Sequence, residues 1–261
     1  DLHSFPTRRS SDLVGGFLKF VTFCGLSEKE AAGMEKCEEY GFATRVIHEG
    51  QGSNPHGALA TPIFMTSTFC FEDVEDGMQK FAKEKPGFVY ARSGNPTTAA
   101  LEAKCAAMEG GEVAMATSSG MGAISSVILS LLKMGDHIIS GDTLYGGSDF
   151  EMHQIPSYGF EVSRIDTTDL ACVEAAFRQN TKMLYVETSL NPTMKVNDIK
   201  GLAKLAHRHG AILVVDNTFT PPPMCFPIHL GADIVVHSTT KYLNGRSEEH
   251  TSELQSRSAI S

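Results

Sequence analysis

Two apolar runs lead into the residue types that covalent and acid–base chemistry needs. The run AILVV (211–215) ends on Asp216, where a lone carboxylate is expensive to bury without a cationic partner. Such an acid serves either as a helix cap or loop carboxylate, or as the group that keeps a pyridine nitrogen protonated so that the ring draws electrons from a carbanion. The run ADIVVH (232–237) leads into Ser238-Thr239-Thr240-Lys241-Tyr242. Lys241 is either a solvated loop lysine or an amine that forms an imine, and hydroxyls one and three positions before it, Thr240 and Ser238, suit phosphate oxygens. Gly120-Met121-Gly122 opens a helical stretch, where free backbone N–H groups and the helix dipole favour a phosphate. Glycine before a helix is also ordinary turn chemistry, so that signal is weak alone.

The elements that must hold these residues alternate between helical and strand patterns. Helices are expected at 97–108, stopped by Gly110-Gly111, and at 120–133, 148–155, 168–177 and 196–209. Strands are expected at 112–117, 136–140, 160–166, 181–188, 211–216 and 232–237. Near-continuous apolar strands separated by helices indicate an α/β fold with a mostly parallel sheet and helices on both faces. Ligands in such sheets sit beyond the carboxyl ends of the strands. Ser118, Ser119, Gly120, Tyr145, Asn191, Asp216, Ser238, Thr240 and Lys241 all follow strand patterns in that way.

Composition narrows the alternatives. The 261 residues are 41% hydrophobic, enough for a sizeable core, and the net charge of −9 comes without a basic stripe suited to nucleic acid. No apolar run reaches the roughly 20 residues that a membrane helix needs. Six scattered cysteines form neither a CxxC pair nor a compact disulfide framework, and read as reduced thiols acting mostly as small buried apolar residues. His207-Arg208-His209 lacks a third ligand and reads as a solvated helix end, so no metal site is expected. Met65 and Met78 read as packing residues, and Pro221-Pro222-Pro223 as a rigid loop. A dinucleotide-binding domain is disfavoured because no GxGxxG fingerprint follows the first strand.

Six ordered motifs carry a resemblance over residues 40–245: YARSGNPT (90–97), SSGMGA (118–123), DTLYGG (142–147), ETSLNPT (187–193), VVDNTF (214–219) and HSTTKYLNG (237–245). This stretch resembles the γ-type trans-sulfuration family of pyridoxal-phosphate enzymes, which includes cystathionine γ-synthases and γ-lyases, methionine γ-lyases and O-acetylhomoserine sulfhydrylases. The resemblance implies the large domain of a fold-type I transferase, a cytoplasmic location, and a homotetramer built from dimers whose active sites are shared between subunits. It implies that Lys241 holds the cofactor through an imine and shuttles protons. Asp216 is implied to pair with the pyridinium nitrogen, and Tyr145 to stack on the ring and act on the departing γ-substituent. Gly120, Met121, Ser238 and Thr240 match the phosphate cradle, and Asn191 matches the residue that bonds the ring hydroxyl. Tyr90 and Arg92 match a pair that reaches the phosphate of the neighbouring subunit's cofactor, where a guanidinium fork suits the oxygens.

The activity implied is γ-elimination, as a carbon–sulfur lyase, or γ-replacement on sulfur or homoserine-derived amino acids. Sulfhydrylation of O-acetylhomoserine is the alternative, and an inactive cofactor-binding fragment is the alternative from another class. Gly147 stands where methionine γ-lyases usually carry cysteine, which weakens methionine as the sole substrate. The ends read differently from the rest. Residues 246–256 (RSEEHTSELQS) and 4–13 (SFPTRRSSDL) resemble sequencing-library adaptors translated in frame, which displaces a secretory signal as the reading of the amino terminus. The expected organisation is a non-native or untranslated-region-derived leader at 1–33, an amino-terminal arm with an incomplete cofactor-binding domain at 34–245, and an adaptor-derived tail at 246–261. The family's smaller carboxy-terminal domain, with the arginine that grips the substrate carboxylate, is expected to be missing. An inactive and poorly soluble polypeptide is expected from that loss.

Overall fold

The computed structural model describes residues 40–244, apart from 53 and 55, together with the two-residue strand β1 (Phe20–Val21). Apart from β1, the expected leader and tail lie outside the described residues, as do Cys24, Cys37 and Gly245. The chain forms two compact units, Asp1–Ala116 and Thr117–Ser261.

In the first unit, α1 (Phe42–His48), α2 (Val74–Phe81) and α3 (Pro96–Glu109) are the helices among the described residues. α3 starts where an asparagine cap meets a proline. The Asn95 side chain accepts the Thr97 N–H at 2.9 Å, and Pro96 occupies the first turn, where its missing N–H costs nothing. Gly110 ends the helix in the left-handed conformation at φ 70°. In α2 the buried Asp76 takes Lys80 at 2.7 Å and Lys85 at 2.6 Å, and these two ammonium groups hold its carboxyl far below the usual carboxylate range.

Several expectations change here. Met65 is 94% exposed and Met78 62% exposed, so neither is a packing residue, and α2 turns Asp76 and Gly77 inward instead. None of the four described cysteines is fully buried: Cys70 and Cys172 are exposed, and Cys105 and Cys225 are half-buried. The strand expected at 112–117 does not form beyond a single-residue bridge at Val113. The Ala116 N–H donates to the Glu102 side chain at 2.8 Å rather than to a ladder partner.

The second unit is the α/β layer that the sequence pattern indicates. Its strands are β2 (His137–Gly141), β3 (Glu161–Ile165), β4 (Thr181–Glu187), β5 (Ile212–Asp216) and β6 (Ile234–Val236). They run parallel in the order β6-β5-β4-β2-β3. All five residues of β2, all three of β6 and six of the seven of β4 are buried, as strands covered on both faces must be. β3, at one end of the order, keeps partial exposure throughout. The helices are α4 (Gly120–Leu131), α5 (Gly146–Gln154), α6 (Leu170–Ala176), α7 (Ile199–Arg208) and α8 (Pro227–Leu230). α4, α6 and α7 open on side-chain caps from Ser119, Asp169 and Asp198.

The helix end at 207–209 is solvated as expected, with Arg208 and His209 exposed, and it is also tethered. His207 meets Asp233 at 2.9 Å, and Arg208 and His209 both reach Glu174, at 2.6 and 2.9 Å, which ties α7 to α6 and to the loop before β6. His137, fully buried at the start of β2, bonds Thr181 Oγ1 at 2.7 Å and Ser163 Oγ at 2.9 Å. Burial lowers its pKa, and the nearby Arg178 adds to that. The unfolded chain therefore takes up this proton first as pH falls, so the contribution of His137 is full above about pH 6.5 and is lost through the folded pKa. Urea unfolding should show the stability advantage of wild type over His137→Gln shrinking between about pH 7 and about pH 5. A constant difference across that range would count against a neutral buried ring.

Candidate functional site

Strand register sets the centre of the site. Asp216, the last residue of β5, lies opposite Glu187, the last residue of β4, and opposite Val236, the last of β6. Three parallel strands therefore end level, and a cavity of about 250 Å³ opens at those ends. Its walls include Ser119, Gly120, Met121, Tyr145, Glu187, Asp216, Ser238, Thr240 and Lys241. Seven of the residues expected at the site are thus brought together: Gly120, Met121, Tyr145, Asp216, Ser238, Thr240 and Lys241.

Two sets of groups lining the cavity differ in chemistry. In one set, the first residues of α4 line the cavity, and Ser119 Oγ accepts the Gly122 N–H at 3.0 Å. Gly120 is pressed against the loop after β6: a Cβ there would stand 2.8 Å from Ser238 Cβ and 3.2 Å from Ser238 Cα. The Ser238 N–H donates to Thr218 Oγ1 at 2.9 Å, which fixes that loop while its hydroxyl lines the cavity. Glycine N–H groups, a helix start and the Ser238 and Thr240 hydroxyls form an anion-binding set.

The other set centres on Asp216. Its Oδ1 accepts the Thr218 N–H at 3.0 Å and the Thr218 hydroxyl at 2.6 Å, and its Oδ2 accepts the Tyr185 hydroxyl at 3.4 Å. Among the described residues no lysine or arginine forms an ion pair with it. Burial pushes its carboxyl above the usual range, and the Thr218 hydrogen bonds oppose that rise. Such a carboxylate gains from a cationic ring N–H, which replaces the water it has lost.

The other expected residues fall as follows. Asn191 lies in the loop after β4, where its N–H donates to Glu187 Oε2 at 3.4 Å. Tyr90 and Arg92 belong to the first unit and pair with each other, the guanidinium carbon 5.0 Å from the ring centroid. Glu187, Thr218, Tyr185 and His237 were not singled out in the sequence. Glu187 shares the signal that marks Asp216, an acid closing an apolar strand. Tyr185 sits in mid-strand, where nothing separates it from core.

Comparison with known proteins accords with this geometry. Residues 43–251 match the family described as Cys/Met metabolism PLP-dependent enzyme. The chain belongs to that family. Relatives of this pyridoxal-phosphate-dependent family include an L-methionine gamma-lyase of Porphyromonas gingivalis, 52% identical over 210 residues, covering 80% of this chain and 53% of that protein. Among solved structures, cystathionine gamma-lyase from Lactobacillus plantarum complexed with L-serine has a TM-score of 0.72 at 40% identity, over 80% of this chain and 53% of that one. A Campylobacter jejuni protein described as a candidate O-acetylhomoserine (thiol)-lyase, carrying N'-pyridoxyl-lysine-5'-monophosphate, has a TM-score of 0.76 at 28% identity, over 80% of this chain and 51% of that one. The chain thus spans about half the length of the relatives it matches.

The residues present fit the family's cofactor. The cavity combines an anion-binding set with a carboxylate that forms no lysine or arginine ion pair among the described residues, and Lys241 lines the same cavity. Gly120→Ala tests the close approach of the α4 start to Ser238. Overpacking against the Ser238 backbone is expected to raise the dissociation constant for pyridoxal phosphate about tenfold, measured by fluorescence quenching. Unchanged affinity would mean that the glycine serves only the turn.

Among the described residues no helix is long and apolar enough to cross a membrane.

Proposed function

We propose that this chain forms the cofactor-binding part of a pyridoxal-phosphate enzyme that eliminates or replaces the γ-substituent of sulfur-containing or homoserine-derived amino acids. The observation that carries this reading is the grouping of Asp216, the Ser238 and Thr240 hydroxyls, the α4 start and Lys241 around one cavity. Pyridoxal phosphate, when bound, supplies the electron sink that lets protons leave first Cα and then Cβ, as loss of a γ-substituent requires.

Lys241 is the amine that holds the cofactor and then moves those protons. Asp216 accepts the ring N–H and keeps that nitrogen charged. Tyr145 stacks on the ring and supplies a proton to the departing sulfur or oxygen. The N–H groups of Gly120 and Met121, with the Ser238 and Thr240 hydroxyls, bind the phosphate. Asn191 serves the ring hydroxyl. Tyr90 and Arg92 serve the phosphate of a neighbouring copy, which makes the enzyme a homo-oligomer, a tetramer of paired dimers, acting in the cytoplasm on a small amino acid. The region from about residue 34 to 245 acts as the cofactor-binding part.

Gly147 supports a substrate range wider than methionine, with O-acetylhomoserine sulfhydrylation as the second reading. A Cβ at this position would stand 2.7 Å from Tyr145 Cε1 and 2.8 Å from Met121 Sδ. Gly147→Cys is therefore expected to turn the Tyr145 ring and change the ratio of elimination to replacement at least about threefold. An unchanged ratio would separate this position from substrate choice.

Borohydride reduction of the chain with pyridoxal phosphate, followed by peptide mass mapping, tests the site. A pyridoxyl group on Lys241 is expected, and labelling confined to other lysines would overturn the assignment. Joining the chain to the unmatched remainder of the Porphyromonas relative tests the reaction. The expected products are an α-keto acid with ammonia, or homocysteine when sulfide is added, and neither product from methionine, cystathionine or O-acetylhomoserine would refute the proposal.

A further inference from the structure

Glu187 has no role in the chemistry described above, yet it is 3% exposed and lines the cavity. Its two carboxylate oxygens serve two different loops. One accepts the Tyr145 N–H at 2.6 Å, and the other accepts the Asn191 N–H at 3.4 Å. Tyr145 is the residue before α5, and that helix has no side-chain cap of its own. A carboxylate from the end of β4, 42 residues away in sequence, instead takes the N–H of the cap residue itself, at the positive end of the helix.

The carboxylate itself is held from the main chain. The Asn197 side chain donates to the Glu187 carbonyl at 2.7 Å, and the Thr188 N–H donates to the Asp216 carbonyl at 3.0 Å. β4 therefore ends as a fixed post. The Tyr145 ring, by contrast, is 47% exposed and gains little from packing, so its position depends on where its backbone is tied.

We propose that Glu187 is a positioning residue, whose carboxylate ties the Tyr145 and Asn191 loops to the end of β4 and thereby sets where the Tyr145 ring stands at the cavity. The proposal rests on the cofactor reading of the cavity only for its consequence, not for the clamp. Burial pushes the Glu187 carboxyl up to about 7, and the charge of Asp216 beside it adds to the rise, while the Tyr145 and Asn191 N–H groups oppose it. The other titratable groups lining the cavity are Tyr145, His237 and Lys241.

Hydrogen exchange of the cofactor-free chain reads the clamp directly. In Glu187→Ala the Tyr145 amide is expected to exchange roughly tenfold faster or more, the factor for losing a hydrogen bond to a charged acceptor. The Val214 and Leu184 amides in the sheet should stay unchanged. Glu187→Gln keeps an oxygen of the same reach and should restore most of the protection. Unchanged Tyr145 exchange, an equal rise throughout the sheet, or a glutamine variant as loose as alanine would overturn the proposal.

If the alanine variant does not fold, the wild-type chain still decides the matter. The Tyr145 amide nitrogen shift should titrate with a midpoint near 7 and be flat in Glu187→Gln. A flat wild-type profile would refute the clamp. Pyridoxal phosphate affinity, measured separately, should fall about tenfold in Glu187→Ala. Intact clamp signals with no cofactor binding in wild type would instead sink the cofactor reading alone.

Discussion

Replacing Lys241 by alanine is expected to abolish the borohydride-stable pyridoxyl adduct and to lower any γ-elimination or γ-replacement by at least about 10³-fold. Two losses combine in that figure. The first is covalent attachment, which places the cofactor before substrate arrives. The second is proton transfer at Cα and Cβ, for which a positioned base contributes typically about 10²–10⁴-fold. Lys241→Arg should not rescue either, because a guanidinium stays protonated and cannot become the nucleophile. Noncovalent affinity should fall far less, since Asp216, Ser238, Thr240 and the α4 start all remain. The measurement is therefore a split: adduct and turnover lost, with binding of pyridoxal phosphate retained within about tenfold. A Lys241→Ala protein that still forms a single reducible adduct and turns over would remove this lysine from the chemistry.

That split also shows what was legible in the sequence. Asp216 and Lys241 stood out because each follows an apolar run that reads as a buried parallel strand, and the carboxyl ends of such strands are where ligands gather. β5 and β6 appear where expected, and the register Glu187↔Asp216↔Val236 is what brings their ends level. Register was not legible. It depends on which strands neighbour one another, and the order β6-β5-β4-β2-β3 is not chain order. Glu187 went unassigned for that reason, although it lay inside a quoted motif. Its partner Tyr145 is distant in sequence, and a backbone N–H leaves no side-chain signature. The strand expected at 112–117 failed for the converse reason, since an apolar run has strand character only when a ladder partner is available, and Glu102 takes the Ala116 donor.

Asp216→Asn is expected to separate stability from function. Asparagine keeps the shape and still accepts from Thr218, and Tyr185 can accept from the new amide while its own hydrogen turns to Ser148, 3.4 Å away. Burial raises the Asp216 carboxyl, so the folded chain holds this proton more tightly than the unfolded one. Stability from a group with a raised pKa is full below the unfolded value and is lost as pH rises through the folded value. Asparagine carries no such loss. Removing the Asp216 charge also relieves Glu187, whose carboxyl is raised to about 7 in part by that charge. In the cofactor-free chain the variant should therefore match wild type near about pH 4 and exceed it above neutrality, read from urea midpoints. With pyridoxal phosphate the order should reverse in function, because an amide cannot hold a ring nitrogen protonated. Turnover should fall about 10²–10³-fold, the usual cost of removing one group aimed at developing charge. The two arms depend on one physical fact, a carboxylate raised by burial that forms no ion pair with a lysine or arginine among the described residues. An asparagine variant that is less stable than wild type at neutral pH, and yet turns over normally, would show that Asp216 is an ordinary loop acid.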